Sequence, residues 1–348
     1  MSGVSSTPKL PSPSQKMLPA STCGVTLNTG YLCPSLGLGT WGGGESEEKV
    51  ADAVTEALKI GYRMFDCAEC YGNEKALGKA FKNYFDDDEN SVQRSDICIV
   101  SKVWNTNHKA EHVREACLNT LKNLQTDYLD AYLIHWPIAF EYTGPGPCGN
   151  DGTPESIPKD SLGHCRLNRN TSIYETWKAM ESLVDDGLVR SIGVSNFSSI
   201  QLADILSYAK YPPAINQVEC HAYLIQENLL KMCRSKGITM VAYAPLGRPG
   251  SVRYNKLGPV LLEEPVVLEI AKKKETTVPC VLLRWNMQRG IVVIPKSTNP
   301  DRLLENFSSM CDPSIELGDD EMELMSSLNK PLRYCNYPWG VGGAKIFD

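Results

Sequence analysis

The sequence predicts an α/β fold, a single (β/α)8 TIM barrel with an N-terminal hairpin, two extra helices and long loops at the C-terminal face. Three observations lead there. Apolar runs of strand length recur eight times, amphipathic segments of helix length alternate with them, and unusual polar residues close successive runs. Short apolar runs alternating with helices build a parallel sheet covered on its outer face, and eight such units close into a barrel. A chain of 348 residues lies within the range of one such domain.

Taken in order, residues 1–23 are rich in Ser and Pro, with Pro8, Pro11, Pro13 and Pro19, and are expected to form a flexible tail. The folded domain is expected over 24–348. Val25-Thr26-Leu27 and Tyr31-Leu32-Cys33 flank Asn28-Thr29-Gly30, a hairpin pattern in which Gly30 supplies the turn. Strands are expected at 35–39, 62–65, 97–101, 129–134, 191–194, 214–218, 239–242 and 291–294. The first helix, 47–59, places Val50, Val54, Ala57 and Leu58 on one face. Helix 112–124 does the same with Ala116, Leu118 and Leu121, and helix 173–186 with Trp177, Met180 and Val184. Further helices are expected at 74–81, 200–208, 226–235, 278–288 and 301–307, with two extra ones at 265–274 and 319–328. Residues 138–170 break the alternation, because Pro145, Gly146, Pro147, Gly149 and Gly152 preclude regular structure. A loop that follows the fourth strand of a barrel lies over the face where chemistry occurs.

Composition removes several classes of function. Thirty-five Lys and Arg against 41 Asp and Glu give a net charge of −6, which argues against a dedicated nucleic-acid or anionic-membrane binder. No apolar stretch reaches the about 18–20 residues of a membrane span. Thirteen cysteines, an odd number without a secretory leader, point to reduced thiols and a cytoplasmic location. Cys67 and Cys70 form a C-x-x-C with no second pair at zinc spacing, so no metal is expected. They read either as buried thiols or, for Cys70, as a pocket thiol sensitive to oxidants.

The polar residues carry the chemistry. Asp66 ends the second run, Tyr71 follows it, Lys102 ends the third run and His135 the fourth. Each alone has an ordinary explanation: a helix cap, a solvated lysine, a core histidine. Together at consecutive strand ends they converge on one face. A phenol is a poor acid at neutral pH, and a nearby ammonium lowers its pKa. An aspartate aims the ammonium, and a histidine hydrogen-bonds a carbonyl oxygen. The set describes a proton donor to a carbonyl that becomes an alcohol; the missing hydride implies a nicotinamide cofactor. Gly37-Leu38-Gly39-Thr40-Trp41-Gly42 matches a dinucleotide fingerprint, but its strand is broken by Pro34 and no helix opens inside it. The anionic end of a cofactor fits better at Lys296-Ser297, where Asn299-Pro300 caps a helix and Arg302 follows; an ordinary capped surface helix is the alternative.

From about residue 25 to its end the chain resembles the aldo-keto reductases. The likeness rests on Gly61-Tyr62-Arg63-Met64-Phe65-Asp66-Cys67-Ala68-Glu69-Cys70-Tyr71-Gly72-Asn73-Glu74, Val100-Ser101-Lys102-Val103-Trp104 and Leu133-Ile134-His135-Trp136-Pro137. Ile192-Gly193-Val194-Ser195-Asn196-Phe197 and Ile294-Pro295-Lys296-Ser297 complete it. The resemblance implies a (β/α)8 barrel that binds NADPH/NADP+ without a Rossmann domain. It implies Asp66, Tyr71, Lys102 and His135 as the catalytic tetrad, with Tyr71 the proton donor. It implies Ser195, Asn196 and Gln217 at the carboxamide of nicotinamide and Tyr243 stacked on its ring. Thr40, Trp41 and Leu246 would touch the cofactor, and Trp41, Trp104, His135 and Trp136 would line the substrate pocket. Lys296, Ser297, Asn299 and Arg302 would hold the 2′-phosphate, Glu305 and Asn306 the adenine, and Thr298 would also touch the cofactor.

One departure concerns the loop Ala244-Pro245-Leu246-Gly247-Arg248-Pro249-Gly250. In animal aldose reductases an acid there clasps a Lys after the Thr-Trp pair; here Gly250 and Gly42 stand in those places, so faster cofactor release is expected. The C-terminal Leu332-Arg333-Tyr334-Cys335-Asn336-Tyr337-Pro338-Trp339 is similar to the tails of xylose and aldose-6-phosphate reductases. Arg333 reads as a sugar or phosphate ligand or as a surface residue. The expected activity is NADPH-dependent reduction of aldehydes and aldoses to polyols. The alternatives are a sugar-phosphate reductase, a steroid or prostaglandin ketone reductase, and a non-catalytic NADPH-binding relative. The expected partner is a small carbonyl substrate, bound by a monomer or weak homodimer.

Overall fold

The computed structural model describes residues 23–144, 156–249, 259–330 and 332–347. The tail before residue 23, Gly250, and Pro145, Gly146, Pro147, Gly149 and Gly152 lie outside the described residues. The hairpin forms as its turn chemistry requires: β1 (Gly24–Thr26) pairs antiparallel with β2 (Leu32–Pro34). Gly30, at φ 84°, donates its N–H to the Leu27 carbonyl at 2.9 Å. Leu27 and Cys33 from this hairpin pack with Met64, Val100, Leu133, Val241 and Ile294 of the barrel strands.

Eight parallel strands follow in chain order: β3 (Leu38–Gly39), β4 (Met64–Asp66), β5 (Cys98–Val103), β6 (Ala131–Ile134), β7 (Ile192–Ser195), β8 (Ile215–Glu219), β9 (Thr239–Tyr243) and β10 (Val292–Val293). The cylinder closes through a parallel bridge between Leu36 and Val293. Two backbone bonds support it, from Gly37 N–H to the Val293 carbonyl at 2.8 Å and from Val293 N–H to the Ser35 carbonyl at 2.9 Å. The expected strand 35–39 is therefore shared, its first half serving β10 and its second half β4. Gly193 on β7 has no room for a side chain: a Cβ there would meet the Ile215 carbonyl at 2.6 Å.

The helices cover the outside. They are α1 (Glu47–Ile60), α2 (Glu74–Phe85), α3 (Ala110–Leu124), α4 (Ile173–Asp185), α5 (Ser199–Tyr208), α6 (Glu227–Ser235), α7 (Pro265–Lys273), α8 (Val278–Gln288), α9 (Pro300–Cys311) and α10 (Asp319–Ser327). Ser46, Ser172 and Ser198 cap α1, α4 and α5, each accepting an N–H from the first turn. The face of α1 is the expected one, with Val50, Val54, Ala57 and Leu58 buried. On α3 the expectation is corrected: Leu118 is 45% exposed, and Val113, Ala116, Cys117, Thr120, Leu121 and Leu124 form the buried stripe. α2 and α9 each run four residues past their expected ends because Tyr84, Ser309 and Met310 are buried by the neighbouring elements. After β6 the chain makes antiparallel bridges at Phe140–Leu167 and Lys159–Cys165. Trp104 Nε1 donates to the Ser156 carbonyl at 2.6 Å, which lays this segment over the strand ends, as expected.

Candidate active site

Strand ends bring the four candidate residues together. Asp66 closes β4, Lys102 lies in β5, His135 follows β6, and Tyr71 ends a short 3-10 turn, Glu69–Tyr71. Lys102 is 0% exposed. Its ammonium donates to both Asp66 oxygens at 2.8 Å, to the Cys67 carbonyl at 2.9 Å and to the Tyr71 hydroxyl at 3.5 Å. Gln217 Nε2 adds a bond to Asp66 Oδ1 at 2.7 Å. Thr40 is committed to the same node, since its hydroxyl donates to the Asp66 carbonyl at 2.9 Å. A buried charge pair survives only with this density of partners.

One expectation is corrected here. The Tyr71 pKa does not come down: burial, and then the Asp66 charge, push the hydroxyl well above its ordinary value. Tyr71 therefore rests as a protonated acid. His135 is held well below its ordinary pKa by burial, then by Lys102 and His108, so its ring is neutral.

Aromatic rings wall the space beside this cluster. Trp104 meets His135 edge-on at 5.1 Å between centroids and Trp339 at 5.8 Å; Trp136 meets Trp339 at 5.2 Å. Tyr337 stacks on Trp339 at 4.4 Å. Trp41 stands apart, 47% exposed, with the Arg248 guanidinium 4.5 Å above its ring. That contact bridges the two loops whose acid–lysine clasp the sequence lacks. Arg333 lies 3.9 Å over the Phe347 ring.

Ser195, Asn196, Gln217 and Tyr243 fall on the ends of β7, β8 and β9 or just past them. Asn196, at φ 66°, donates to the His135 carbonyl at 2.9 Å and to Ser195 Oγ at 3.1 Å, and accepts from the Tyr243 hydroxyl at 2.8 Å. These bonds fix the Tyr243 ring, and the Gln217 side-chain oxygen Oε1 has no hydrogen-bond partner among the described residues. A carboxamide with donors and acceptors in one plane suits that set. Leu246 is half-buried against the core in the loop beyond Tyr243.

The remaining candidates sit elsewhere, after β10. Asn299 caps α9, its Oδ1 accepting from Arg302 N–H at 3.0 Å, and Pro300 opens the helix. Ser297 accepts from Asn299 N–H at 3.1 Å. Glu305 and Asn306 lie on the second turn of α9. Lys296 pairs with Glu45, which also accepts from Thr298 Oγ1 at 2.8 Å and from Lys49 Nζ at 2.7 Å. Burial opposes the shift, but Lys296 and then Lys49 hold the Glu45 carboxyl down at about 2. A phosphate is the natural ligand of an ammonium, a hydroxyl and a capped helix start.

Sequence reasoning passed over three acids. Glu45 sits in a strand-end loop, and its only signal was that position. Glu69, two residues before Tyr71, accepts from Trp104 N–H at 3.2 Å and Asn107 Nδ2 at 2.8 Å. Glu219 closes β8 and accepts from Tyr334 N–H at 2.7 Å, Cys335 N–H at 2.8 Å and, on a ring nitrogen, His221 at 2.9 Å. Both are acids at positions that the fold buries, which is a signal only once the fold is known.

The Aldo/keto reductase family model matches residues 35–330. Human aldo-keto reductase family 1 member A1 is 44% identical over 329 residues, covering 94% of this chain and 95% of that one. Aldose reductase B of Dictyostelium discoideum is 47% identical over 315 residues, covering 90% and 94%. Among solved structures, the aldose reductase of Giardia lamblia superposes with TM-score 0.79 at 40% identity, covering 90% of this chain and 98% of that one. That of Schistosoma japonicum gives 0.78 at 41%, covering 88% and 93%. With the barrel, its strand-end cluster and these matches agreeing, the chain belongs to the aldo/keto reductase family.

Proposed function

We propose that this protein reduces aldehydes and aldoses to alcohols and polyols with NADPH, in one domain spanning residues 24–348. The supporting observation is the buried relay in which Lys102 links Asp66 to the Tyr71 hydroxyl beside a neutral His135. A reduced nicotinamide held by Ser195, Asn196, Gln217 and Tyr243 would supply the hydride that no side chain can. The carbonyl oxygen lies between the Tyr71 hydroxyl and the His135 ring. As negative charge grows on it, His135 donates a hydrogen bond and Tyr71 transfers its proton. The phenolate left behind is stabilised by the Lys102 ammonium, which Asp66 and the Cys67 carbonyl hold in place. Lys296, Thr298 and Arg302 would hold the 2′-phosphate, and that contact would select NADPH. Twelve free cysteines among the described residues fit the reducing cytoplasm.

The test is NADPH oxidation by the purified protein with glyceraldehyde, xylose and glucose 6-phosphate in parallel, and with Tyr71→Phe as control. Turnover by the wild type alone supports the reading, and the substrate ranking separates an aldose from a sugar phosphate. NADPH binding without turnover on any carbonyl would make it a non-catalytic binder.

A further inference from the structure

The C-x-x-C pair divides into two different surroundings. Cys67 is fully buried, and burial pushes its thiol far up, while its carbonyl holds Lys102. Cys70 instead places its sulfur 3.5 Å from Nδ1 of His135. The 3-10 turn makes this possible: it closes at Gly72, at φ 71°, and delivers Cys70 and Tyr71 side by side to one histidine. Tyr71 and Trp104 meet the His135 ring edge-on at 5.9 and 5.1 Å, and Trp136 lies near-parallel to it at 6.4 Å. Among the described residues, Cys70 is the one hydrogen-bond partner of that ring.

We propose that Cys70 is a positioning residue that sets the tautomer of His135, its S–H donating to Nδ1 so that the ring proton stays on Nε2, where it meets the substrate carbonyl. A neutral imidazole has one N–H and one lone pair, and what its first nitrogen bonds to decides what the second can offer. The two directions of this contact are unequal. An S–H donor meeting a pyridine-type nitrogen uses the better acceptor, whereas an N–H donor meeting sulfur uses a weak one. A thiolate–imidazolium pair is excluded on charge, because Lys102 already stands in this buried space and a second cation beside it is disfavoured. The wrong tautomer would present a lone pair to an oxygen that gains negative charge, which opposes the reaction. This inference rests on the reading of His135 as the carbonyl-binding residue.

The test compares Cys70→Ser, which keeps a donor, with Cys70→Ala and Cys70→Val, which remove it; Val retains apolar bulk. The chain has five histidines, so the His135 ring nitrogens are assignable by nitrogen-15 NMR against His135→Gln. In the cofactor-free wild type and the Ser variant, Nδ1 should show a pyridine-type and Nε2 a pyrrole-type resonance. Ala and Val should show mixed tautomers and a kcat lower by about 3- to 10-fold, the loss of one neutral hydrogen bond. Their dissociation constants for NADPH should stay at the wild-type value. A wild-type ring protonated on Nδ1, or Ala and Val variants with unchanged tautomer and kcat, would overturn the proposal. So would full recovery in Val alone, which would leave Cys70 a packing residue. If instead wild type and Tyr71→Phe turn over equally, the functional reading fails while the resonances still report the tautomer.

Discussion

At the ends of β4 and β5, Asp66 and Lys102 are sealed from water and satisfied by protein groups alone. After β10, Lys296 and Thr298 lie half-open at the surface and are satisfied by Glu45, a loop residue from the far side of β3. The first arrangement is fixed in advance, so it needs no reorganisation when charge develops. The second is an exchangeable pairing, in which one anion can give way to another. Low dielectric strengthens the buried charges, while salt screens the exposed ones. The contrast suits a catalyst that holds its acid rigidly and captures its cofactor reversibly.

The largest expected effect comes from breaking the rigid end. Lys102→Met leaves the Asp66 charge buried without its cation, which should cost about 3–5 kcal/mol. The urea midpoint reads it, and an unchanged midpoint would mean that the pair is not sealed. Next is the C-terminal segment 332–347, whose Tyr337 and Trp339 rings wall the space beside the cluster. Burial alone would raise the Glu219 pKa, but bonds from His221, Tyr334 and Cys335 hold it down. Glu219→Gln sets an NH2 against one of two backbone N–H groups, a penalty of about 1–3 kcal/mol. Limited proteolysis should then cut residues 332–347 faster, and the KM for aldehydes should rise.

A third test uses pH. Burial raises Glu69 and Glu74 from 4.5 to about 7. Between those values the folded chain keeps protons that the unfolded chain has released, so stability falls as pH rises from about 4.5 to 7. The loss is on the order of 1–3 kcal/mol per group. Urea midpoints across that window should show it, and Glu69→Gln should flatten the slope. The smallest effect lies at the open end. Glu45→Gln frees Lys296 and should tighten NADPH by about 2- to 5-fold, the scale of an exposed pair, with NADH unchanged. Fluorescence titration reads it, and weaker NADPH binding would make Glu45 a clasp rather than a competitor.

The legible parts of the sequence were those with a local period or a local motif. Eight strands, the hairpin turn at Gly30 and the Asn299 cap depend on neighbours in the chain, and all are where the sequence puts them. Asp66, Tyr71, Lys102 and His135 were legible because barrel strands deliver their ends to one face. The facing of Leu118 was missed because Cys117 served the core equally well. The Tyr71 shift was missed because its sign is set first by burial, which only the folded chain shows. Gln217 bonding Asp66, Cys70 bonding His135 and Glu45 reaching Lys296 join residues 151, 65 and 251 positions apart, which no periodicity reports.

The most direct measurement sets two variants side by side, with kcat on glyceraldehyde and the dissociation constant for NADPH determined for each. Tyr71→Phe should lower kcat by about 10²–10⁴-fold and leave the dissociation constant within about twofold. Lys296→Ala should weaken NADPH by about 10- to 100-fold and leave kcat within about threefold. A Tyr71→Phe enzyme that keeps its kcat would contradict the division between a fixed acid and an exchangeable anchor.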